Sequence, residues 1–266
     1  MNATAGGFAA ASAPLSSQAI STDTMGLVAV VTEIPVADGN MPVYRAMPEG
    51  RKSPPIILVV QEIFGVHEHI RDVCRRFAKA GYLAVAPELY FRQGDASKYA
   101  DIPTLFEEIV SKVPDAQVMA DLDATLVWAT KQGGEKAKTA ISGFCWGGRI
   151  TWMYAAHNAS INAGVAWYGG LIKPVNAMTP RHPIDIAATL KVPVLGLYGA
   201  GDTGIPVESV EKMQAALAAA GSRSKIHLYP DTPHAFYADY RPSYRQAEAA
   251  DGWKRCLEWL AANDAV

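Results

Sequence analysis

The sequence predicts an α/β fold in which a mostly parallel sheet is covered by helices on both faces. Short apolar runs alternate with segments of helical periodicity along most of the chain, and this alternation is typical of parallel sheets. Runs such as residues 56–60 are apolar at every position, as expected for strands that are buried on both sides. A chain of 266 residues is long enough to form one large domain of this kind.

The first predicted element is an antiparallel hairpin. Residues 26–36 are rich in Val and Ile, residues 37–40 have the composition of a tight turn, and residues 41–47 pair back as a second strand. The later apolar runs give the remaining strands, which are predicted at residues 56–60, 82–87, 138–142, 163–167, 192–198 and 225–229.

Helices are predicted between these strands, where apolar residues recur every three or four positions. Glycines such as Gly81 and Gly221 mark the ends of two of them. The predicted helices comprise residues 66–80, 102–113, 114–131, 146–157, 207–220 and 243–263. Residues 171–189 contain several prolines and are predicted to be irregular.

The composition excludes several classes of function. A net charge of -2 provides no basic surface for nucleic acid or for an anionic membrane. The three cysteines lack metal-ligand spacing, so we expect no zinc site and no disulfide framework. No apolar run reaches the ~18 residues that a membrane-spanning helix requires. The expected partner is therefore a small molecule, and the sequence leaves the oligomeric state open.

Residues 1–25 are predicted to be a flexible extension or the remnant of an export signal, followed by a single domain at residues 26–266. The extension is rich in Ala, Ser and Gly and has no Lys or Arg, so it lacks the charged start of an intact signal peptide. We accordingly expect a soluble protein that is cytoplasmic, or periplasmic or exported if the segment is a signal remnant.

The stretch around Cys145 combines the end of an apolar strand, a reactive residue and the start of a helix. Gly143 and Gly147 flank the cysteine in a G-x-C-x-G pattern, which is the nucleophile elbow of the α/β-hydrolase fold with Cys in place of Ser. Larger side chains at the glycine positions would collide with the sharp turn. The positive end of the following helix favours a thiolate and an oxyanion.

Two further residues complete a predicted Cys-His-Asp triad. Asp202 and His234 each follow a predicted strand, and the order nucleophile, acid, histidine is that of the α/β-hydrolase fold. His234 can accept the thiol proton and protonate the leaving group, while Asp202 orients the imidazole. Asp231 is an alternative orienting acid because it lies close to His234 in the sequence.

An oxyanion hole is predicted from two backbone amides. Trp146 directly follows the nucleophile, and Ile63 lies in the segment after the strand at residues 56–60. Removing one such donor typically lowers the rate on the order of 10²- to 10³-fold.

A set of ordered motifs resembles the dienelactone hydrolase (carboxymethylenebutenolidase) family. The set extends from about residue 55 to residue 263, and as an ordered series it is far more specific than one G-x-C-x-G pattern. The motifs are Gln61-Glu62-Ile63-Phe64-Gly65, Pro87-Glu88-Leu89-Tyr90-Phe91-Arg92-Gln93, Gly143-Phe144-Cys145-Trp146-Gly147-Gly148, Trp167-Tyr168-Gly169, Asp202-Thr203-Gly204-Ile205-Pro206 and Pro233-His234-Ala235-Phe236.

The resemblance implies a hydrolase of small lactones or esters that forms a thioester acyl-enzyme and needs no cofactor. It also implies that Glu62 contacts the resting cysteine and moves away when substrate binds, so that the thiol is activated only then. Arg92 matches an arginine that holds the substrate carboxylate. The second such arginine of the family corresponds to Ala238 in this chain, and Arg241 is a candidate replacement.

Aromatic residues near the predicted site are candidates for a substrate pocket, although aromatic side chains are also common in cores. These candidates are Tyr90, Phe64, Trp167, Tyr168, Phe236 and Trp146. The histidines outside the triad are predicted to be structural or exposed, and they are His67, His69, His157, His182 and His227.

Three alternatives to a lactone hydrolase stay open on the sequence alone. The first is a broad-specificity carboxylesterase of the same fold, and the second is a non-hydrolytic protein that binds a ligand in the same pocket. The third is a redox role for Cys145, which is disfavoured because no second cysteine lies near it in the sequence.

Overall fold

An eight-stranded mixed sheet runs through the computed structural model, which describes residues 19–266. The strands are β1 (Leu27–Val36), β2 (Gly39–Pro48), β3 (Pro55–Val60), β4 (Leu83–Pro87), β5 (Glu135–Phe144), β6 (Ala163–Trp167), β7 (Val194–Gly199) and β8 (Lys225–Tyr229). Their spatial order is β1-β2-β4-β3-β5-β6-β7-β8. The pairs β1–β2 and β2–β4 are antiparallel, and all other neighbours are parallel. The predicted sheet and its N-terminal hairpin are therefore confirmed.

Helices connect the parallel strands and cover the sheet. They are α1 (Glu68–Lys79), α2 (Ile102–Glu108), α3 (Asp115–Lys131), α4 (Trp146–His157), α5 (Pro183–Ile186), α6 (Val207–Ala219) and α7 (Gln246–Ala262). Every residue of β3, β4, β6 and β7 is buried, which requires cover on both faces of the sheet.

Two segments differ from the prediction. The helix expected at residues 102–113 ends at Glu108, because Ile109 leaves the helical region of backbone space (φ −120°, ψ −68°) and a 3-10 turn follows it. The segment expected to be irregular, residues 171–189, contains α5. His182 caps the start of this short helix, and its backbone amide donates a hydrogen bond to the side chain of Asp185 (2.8 Å).

Residues 19–25 precede β1, and part of this segment is docked on α1. The Thr22 amide donates to Asp72 Oδ1 (2.5 Å), and the Thr22 carbonyl accepts from Arg75 Nε (2.8 Å). The predicted extension therefore includes a docked part. Its remainder, residues 1–18, lies outside the described residues, and the interpretation as a flexible extension or signal remnant stays a prediction there.

The carboxyl ends of the parallel strands gather the residues on which the predicted chemistry depends. Glu62 follows β3, Cys145 follows β5, Asp202 follows β7 and His234 follows β8. Because these strands run in one direction, all four residues lie at the same edge of the sheet. Within residues 19–266, no helix is both long enough and apolar enough to cross a membrane.

Candidate active site

Cys145 occupies a strained turn between β5 and α4. Its backbone has φ 55° and ψ −113°, a left-handed conformation that is costly for a residue with a side chain. A Cβ atom at Gly143 would overlap the carbonyl oxygen of Gly147, and one at Gly147 would lie 2.5 Å from that of Val60. The two glycines are therefore required for the turn to pass this close to β3.

The imidazole of His234 lies between Cys145 and Asp202. Its Nε2 is 3.3 Å from Cys145 Sγ, and its Nδ1 is 2.6 Å from Asp202 Oδ2. Asp202 is buried, and its Oδ1 accepts hydrogen bonds from the amides of Gly204 (2.8 Å) and Ile205 (3.1 Å). The carboxylate is thus oriented by its own turn, so that the other oxygen is free to hold the imidazole.

The alternative acid, Asp231, is placed differently. It is exposed in the turn after β8, with φ 48°. The carboxylate that hydrogen-bonds with His234 is that of Asp202, although Asp231 is far closer in the sequence.

The surroundings of His234 favour the charged imidazolium. Burial alone would lower its pKa, but the negative charge of a Cys145 thiolate, the hydrogen bonds with Asp202 and Cys145, and the charge of Asp202 together raise the pKa of His234 to about 10. An imidazolium that persists at neutral pH can stabilise the thiolate and later protonate a leaving group.

One of the two amides predicted for the oxyanion hole belongs to the helix after the cysteine. Trp146 is the first residue of α4, so its amide has no carbonyl partner within the helix. The amides of Gly148 and Arg149 are already used, because they donate to the Cys145 carbonyl (3.0 and 3.3 Å). Ile63 is half-buried in the segment between β3 and α1. The roles of Trp146 and Ile63 as oxyanion donors stay predictions.

Glu62 is fully buried and bonded away from the thiol. Its Oε2 accepts a hydrogen bond from the Tyr240 hydroxyl (2.7 Å) and lies 3.2 Å from His67 Nε2. The resemblance implies that this carboxylate contacts the resting cysteine. In the structure Cys145 Sγ is instead 3.3 Å from His234 Nε2, and both hydrogen bonds of Glu62 are made with other partners.

The charge of Glu62 is compensated within the protein. Burial would raise its pKa, but the hydrogen bond with His67 and the positive fields of His67, His69 and Arg241 outweigh burial and lower the pKa of Glu62 below its ordinary value. His67 Nε2 donates to the carboxylate, and burial lowers the pKa of this imidazole despite that hydrogen bond. Glu62 is therefore a carboxylate at neutral pH.

Arg92 is engaged by two carboxylates of its own chain. Its Nε is 2.7 Å from Asp38 Oδ2, and its Nη1 is 2.7 Å from Asp121 Oδ2. Asp121 is buried, so the pair with Arg92 compensates a charge that is shielded from water. The guanidinium expected to hold a substrate carboxylate is thus already paired on two sides.

Arg241 has a different environment. Its guanidinium carbon lies 5.7 Å from the centre of the Phe64 ring, and its charge acts on Glu62. Among the described residues, no carboxylate forms an ion pair with it. The side chain of Ala238 is enclosed. Arg241 is therefore a cation near the site that is available to an anion.

The predicted pocket aromatics divide into two groups. Tyr90 packs against Trp146 (ring centres 5.0 Å apart), and Tyr168 packs against His234 (5.2 Å). Both tyrosines therefore contact a residue of the predicted active site. Phe236 packs behind Tyr168 (5.3 Å) and against Trp167 (6.1 Å). The rings of all four residues, Tyr90, Tyr168, Trp167 and Phe236, are fully buried.

Two residues near Glu62 have a placement that the sequence did not indicate. His67 was expected to be structural or exposed, and Tyr240 belongs to none of the motifs. Both contact Glu62 only because α1 and the segment after His234 meet above β3. Residues 19–266 contain no group of three or more His, Cys, Asp or Glu side chains that could hold a metal ion.

Comparisons with known proteins agree on one family. The model of the dienelactone hydrolase family matches residues 41–263. A protein of Salmonella typhimurium named "Putative carboxymethylenebutenolidase" is 56% identical over 256 residues, covering 96% of this chain and 95% of its own. A protein of the same name from Methylorubrum extorquens is 57% identical over 256 residues, covering 96% of this chain and 88% of its own. A crystal structure titled as a putative dienelactone hydrolase, from Klebsiella pneumoniae, is 58% identical with a TM-score of 0.87, covering 88% of this chain and 98% of that one.

Proposed function

The chain belongs to the dienelactone hydrolase family of ester hydrolases, and we propose that it cleaves small lactones or esters with Cys145 as the nucleophile. The observation that carries the proposal is the position of His234, within hydrogen-bond distance of both Cys145 Sγ (3.3 Å) and Asp202 (2.6 Å). This geometry meets the requirements of nucleophilic catalysis, in which a base contacts the nucleophile and an acid orients the base.

The proposed reaction has two halves. In the first, Cys145 Sγ attacks the substrate carbonyl carbon, and the C–O bond to the leaving group breaks as His234 Nε2 donates its proton to the departing oxygen. In the second, His234 accepts a proton from water, the resulting hydroxide attacks the thioester, and the carboxylic product leaves as the C–S bond breaks. Asp202 holds the imidazole in one tautomer throughout. The amides of Trp146 and Ile63 would stabilise the oxyanion in both halves.

The direct test is to trap the thioester. We expect that mixing the protein with an ester and quenching in acid leaves the acyl mass on the peptide that contains Cys145.

A panel of neutral aryl esters, alkyl esters and anionic lactones then defines the substrate class. Turnover of all esters would favour a broad-specificity carboxylesterase. Binding without turnover or acyl-enzyme would favour a ligand-binding protein, and dimedone labelling under mild peroxide without esterase activity would favour a redox role.

Anionic substrates provide a further prediction. We propose that Arg241, rather than Arg92, contacts a substrate carboxylate, because Arg92 is paired with Asp38 and Asp121, whereas no carboxylate among residues 19–266 forms an ion pair with Arg241. Arg241→Gln is expected to raise KM for an anionic lactone about tenfold more than KM for a neutral ester, a change of about 1.4 kcal/mol. Steady-state kinetics on both substrates measure the difference.

Arg92→Gln is the matched control. It leaves Asp121 without its partner and is expected to lower Tm by about 3 °C, with little change in the ratio of the two KM values. A selective effect of the Arg92 variant on the anionic substrate would instead assign the carboxylate contact to Arg92.

A further inference from the structure

A strap of residues 172–178 follows β6 and is exposed to solvent at every position. Three of its side chains are large and apolar, and they belong to Ile172, Val175 and Met178. Its only charged residue is Lys173. Single exposed apolar side chains are common on any protein, whereas several that are exposed together in one short segment indicate a binding surface.

The strap lies beside the residues of the candidate active site. Tyr168, which ends the preceding strand, packs against His234 with ring centres 5.2 Å apart. Lys173 Nζ donates a hydrogen bond to the Gly204 carbonyl (3.2 Å), and the Gly204 amide donates to Asp202 Oδ1 (2.8 Å). The strap is therefore attached to the same turn that orients Asp202.

A buried arginine of α4 holds the strap from below. Arg149 lies one turn after the elbow, and its Nη1 and Nη2 each donate to one oxygen of Asp115 (2.7 Å for both). Its Nε donates to His182 Nδ1 (3.0 Å), so the proton of this imidazole lies on Nε2. His182 Nε2 is 3.2 Å from the carbonyl oxygen of Pro174 and donates to it. Arg149 thus connects the elbow helix to the middle of the strap.

The strap also has a fixed shape of its own. Asn176 Oδ1 accepts hydrogen bonds from the amides of Met178 (2.8 Å) and Thr179 (2.9 Å). The Met178 carbonyl accepts from the amide of Asp115 at the start of α3 (2.9 Å). A surface that is ordered before binding loses little conformational freedom when a ligand is bound.

An apolar group of the substrate is the occupant that fits this surface. A stable protein interface needs about 20–30 residues from each partner, and the strap exposes only three large apolar side chains. Its one cation is directed to a backbone carbonyl, so the strap offers contact to an uncharged group. Its attachment to the turn of Asp202 places it beside the proposed reaction.

We propose that the strap is a specificity-determining wall that contacts the alkyl or aryl group of an ester, and that Arg149 is the positioning residue that holds it. This inference deepens the proposed function and rests on it, because it names the class of substrate that the same site prefers. That class is esters with an apolar group larger than acetyl or ethyl.

The test compares kcat/KM for short and long esters. Two ratios are measured: p-nitrophenyl hexanoate over p-nitrophenyl acetate for the acyl side, and hexyl acetate over ethyl acetate for the alcohol side. The triple variant Ile172→Ser, Val175→Ser, Met178→Ser is expected to lower at least one of these ratios about tenfold, because the longer chain loses its apolar contacts.

The matched control replaces exposed apolar residues elsewhere. Val31 of β1 and Val127 of α3 are 59% and 55% exposed, close to the 60% of Val175. The variant Val31→Ser, Val127→Ser is expected to keep both ratios within about twofold of wild type, because surface substitutions away from a site have small effects. A control that lost the preference as strongly as the strap variant would overturn the inference.

Arg149→Lys tests the support of the strap. A lysine has one ammonium group and cannot bind Asp115 and His182 in the same fork geometry. We expect faster amide hydrogen exchange in residues 172–182 and a ratio that falls about threefold. Faster exchange of the strap with an unchanged preference for long esters would contradict the positioning role of Arg149.

Binding without turnover separates this inference from the proposed function. Calorimetry measures the Kd of 2-octanone and of 2-butanone, and the triple variant is expected to lose the preference for the longer ketone. That loss in a protein that turns over no ester would support the strap and overturn the hydrolase assignment. Unchanged ratios in both ester series, with normal turnover of the acetate, would overturn the strap alone. A dimer that dissociates in the triple variant while both ratios stay unchanged would assign the strap to contact between copies of the chain instead.

Discussion

Cys145→Ala is expected to lower ester turnover by at least about 10⁴-fold, because the variant has no atom that can form the acyl-enzyme. Binding of the substrate and the remaining oxyanion donors would persist, so a small rate above the uncatalysed reaction is expected to survive. The elbow itself should also persist, since alanine removes only Sγ and the turn depends on the neighbouring glycines. The measurement is kcat/KM for a neutral aryl ester, with a circular dichroism spectrum to show that the variant is folded.

Cys256→Ala is the matched control for loss of a thiol. Cys256 is completely buried in α7, far in the sequence from the elbow, so its replacement is expected to lower Tm and to change kcat/KM by less than about twofold. Near-wild-type turnover in Cys145→Ala would rule out Cys145 as the nucleophile.

Asp202→Asn is expected to lower kcat/KM for an unactivated alkyl ester by roughly 10²- to 10⁴-fold. The neutral amide has no negative charge to stabilise the imidazolium, and its NH2 group can donate to Nδ1, which favours the tautomer that carries its proton on Nε2 and cannot accept the Cys145 proton. The pH profile should change as well. The pKa of His234 is raised to about 10 in part by Asp202, so the wild-type enzyme keeps its imidazolium as the acid for the leaving group until the pH approaches that value.

Removing the charge of Asp202 lowers the pKa of His234, and the alkaline loss of activity is therefore expected to begin at lower pH in the variant. A series of kcat/KM measurements between pH 6 and pH 10.5 checks both the magnitude and the direction. Asp231→Asn is the control, because Asp231 is exposed and does not contact the imidazole in the structure. If the Asp231 variant lost activity while the Asp202 variant did not, Asp231 would be the orienting acid.

Most of the sheet could be predicted because a strand that is buried on both faces is apolar at nearly every position. Strands such as β3 and β4 are continuous apolar runs, and every residue in them is buried. The elbow was equally predictable, since Gly143 and Gly147 are the residues that allow backbone to approach within contact distance of backbone. The break at Ile109 was not predictable, because apolar residues continue through it in the sequence as they would in a longer helix.

The charged residues of the site were predictable only in part. Cys145, Asp202 and His234 stand at strand ends, and the parallel order of the strands is enough to bring them to one edge of the sheet. Arg92 matched a family position by its motif. Its side chain, however, is paired with Asp38 and Asp121, which are both far from it in the sequence. No pattern in the sequence indicates such a pairing, because an ion pair is decided by which loops meet.

The sequence by itself determined the fold class, the strained turn at Cys145 and the strand ends that carry the predicted chemistry. These features follow from local backbone requirements and from hydrophobic periodicity, and both depend only on residues that are close together in the sequence. Tertiary structure alone decided which carboxylate has which partner. Glu62 is directed to His67 and Tyr240 because α1 and the segment after His234 meet over β3, and a short-range hydrogen bond depends on that meeting and not on spacing in the sequence.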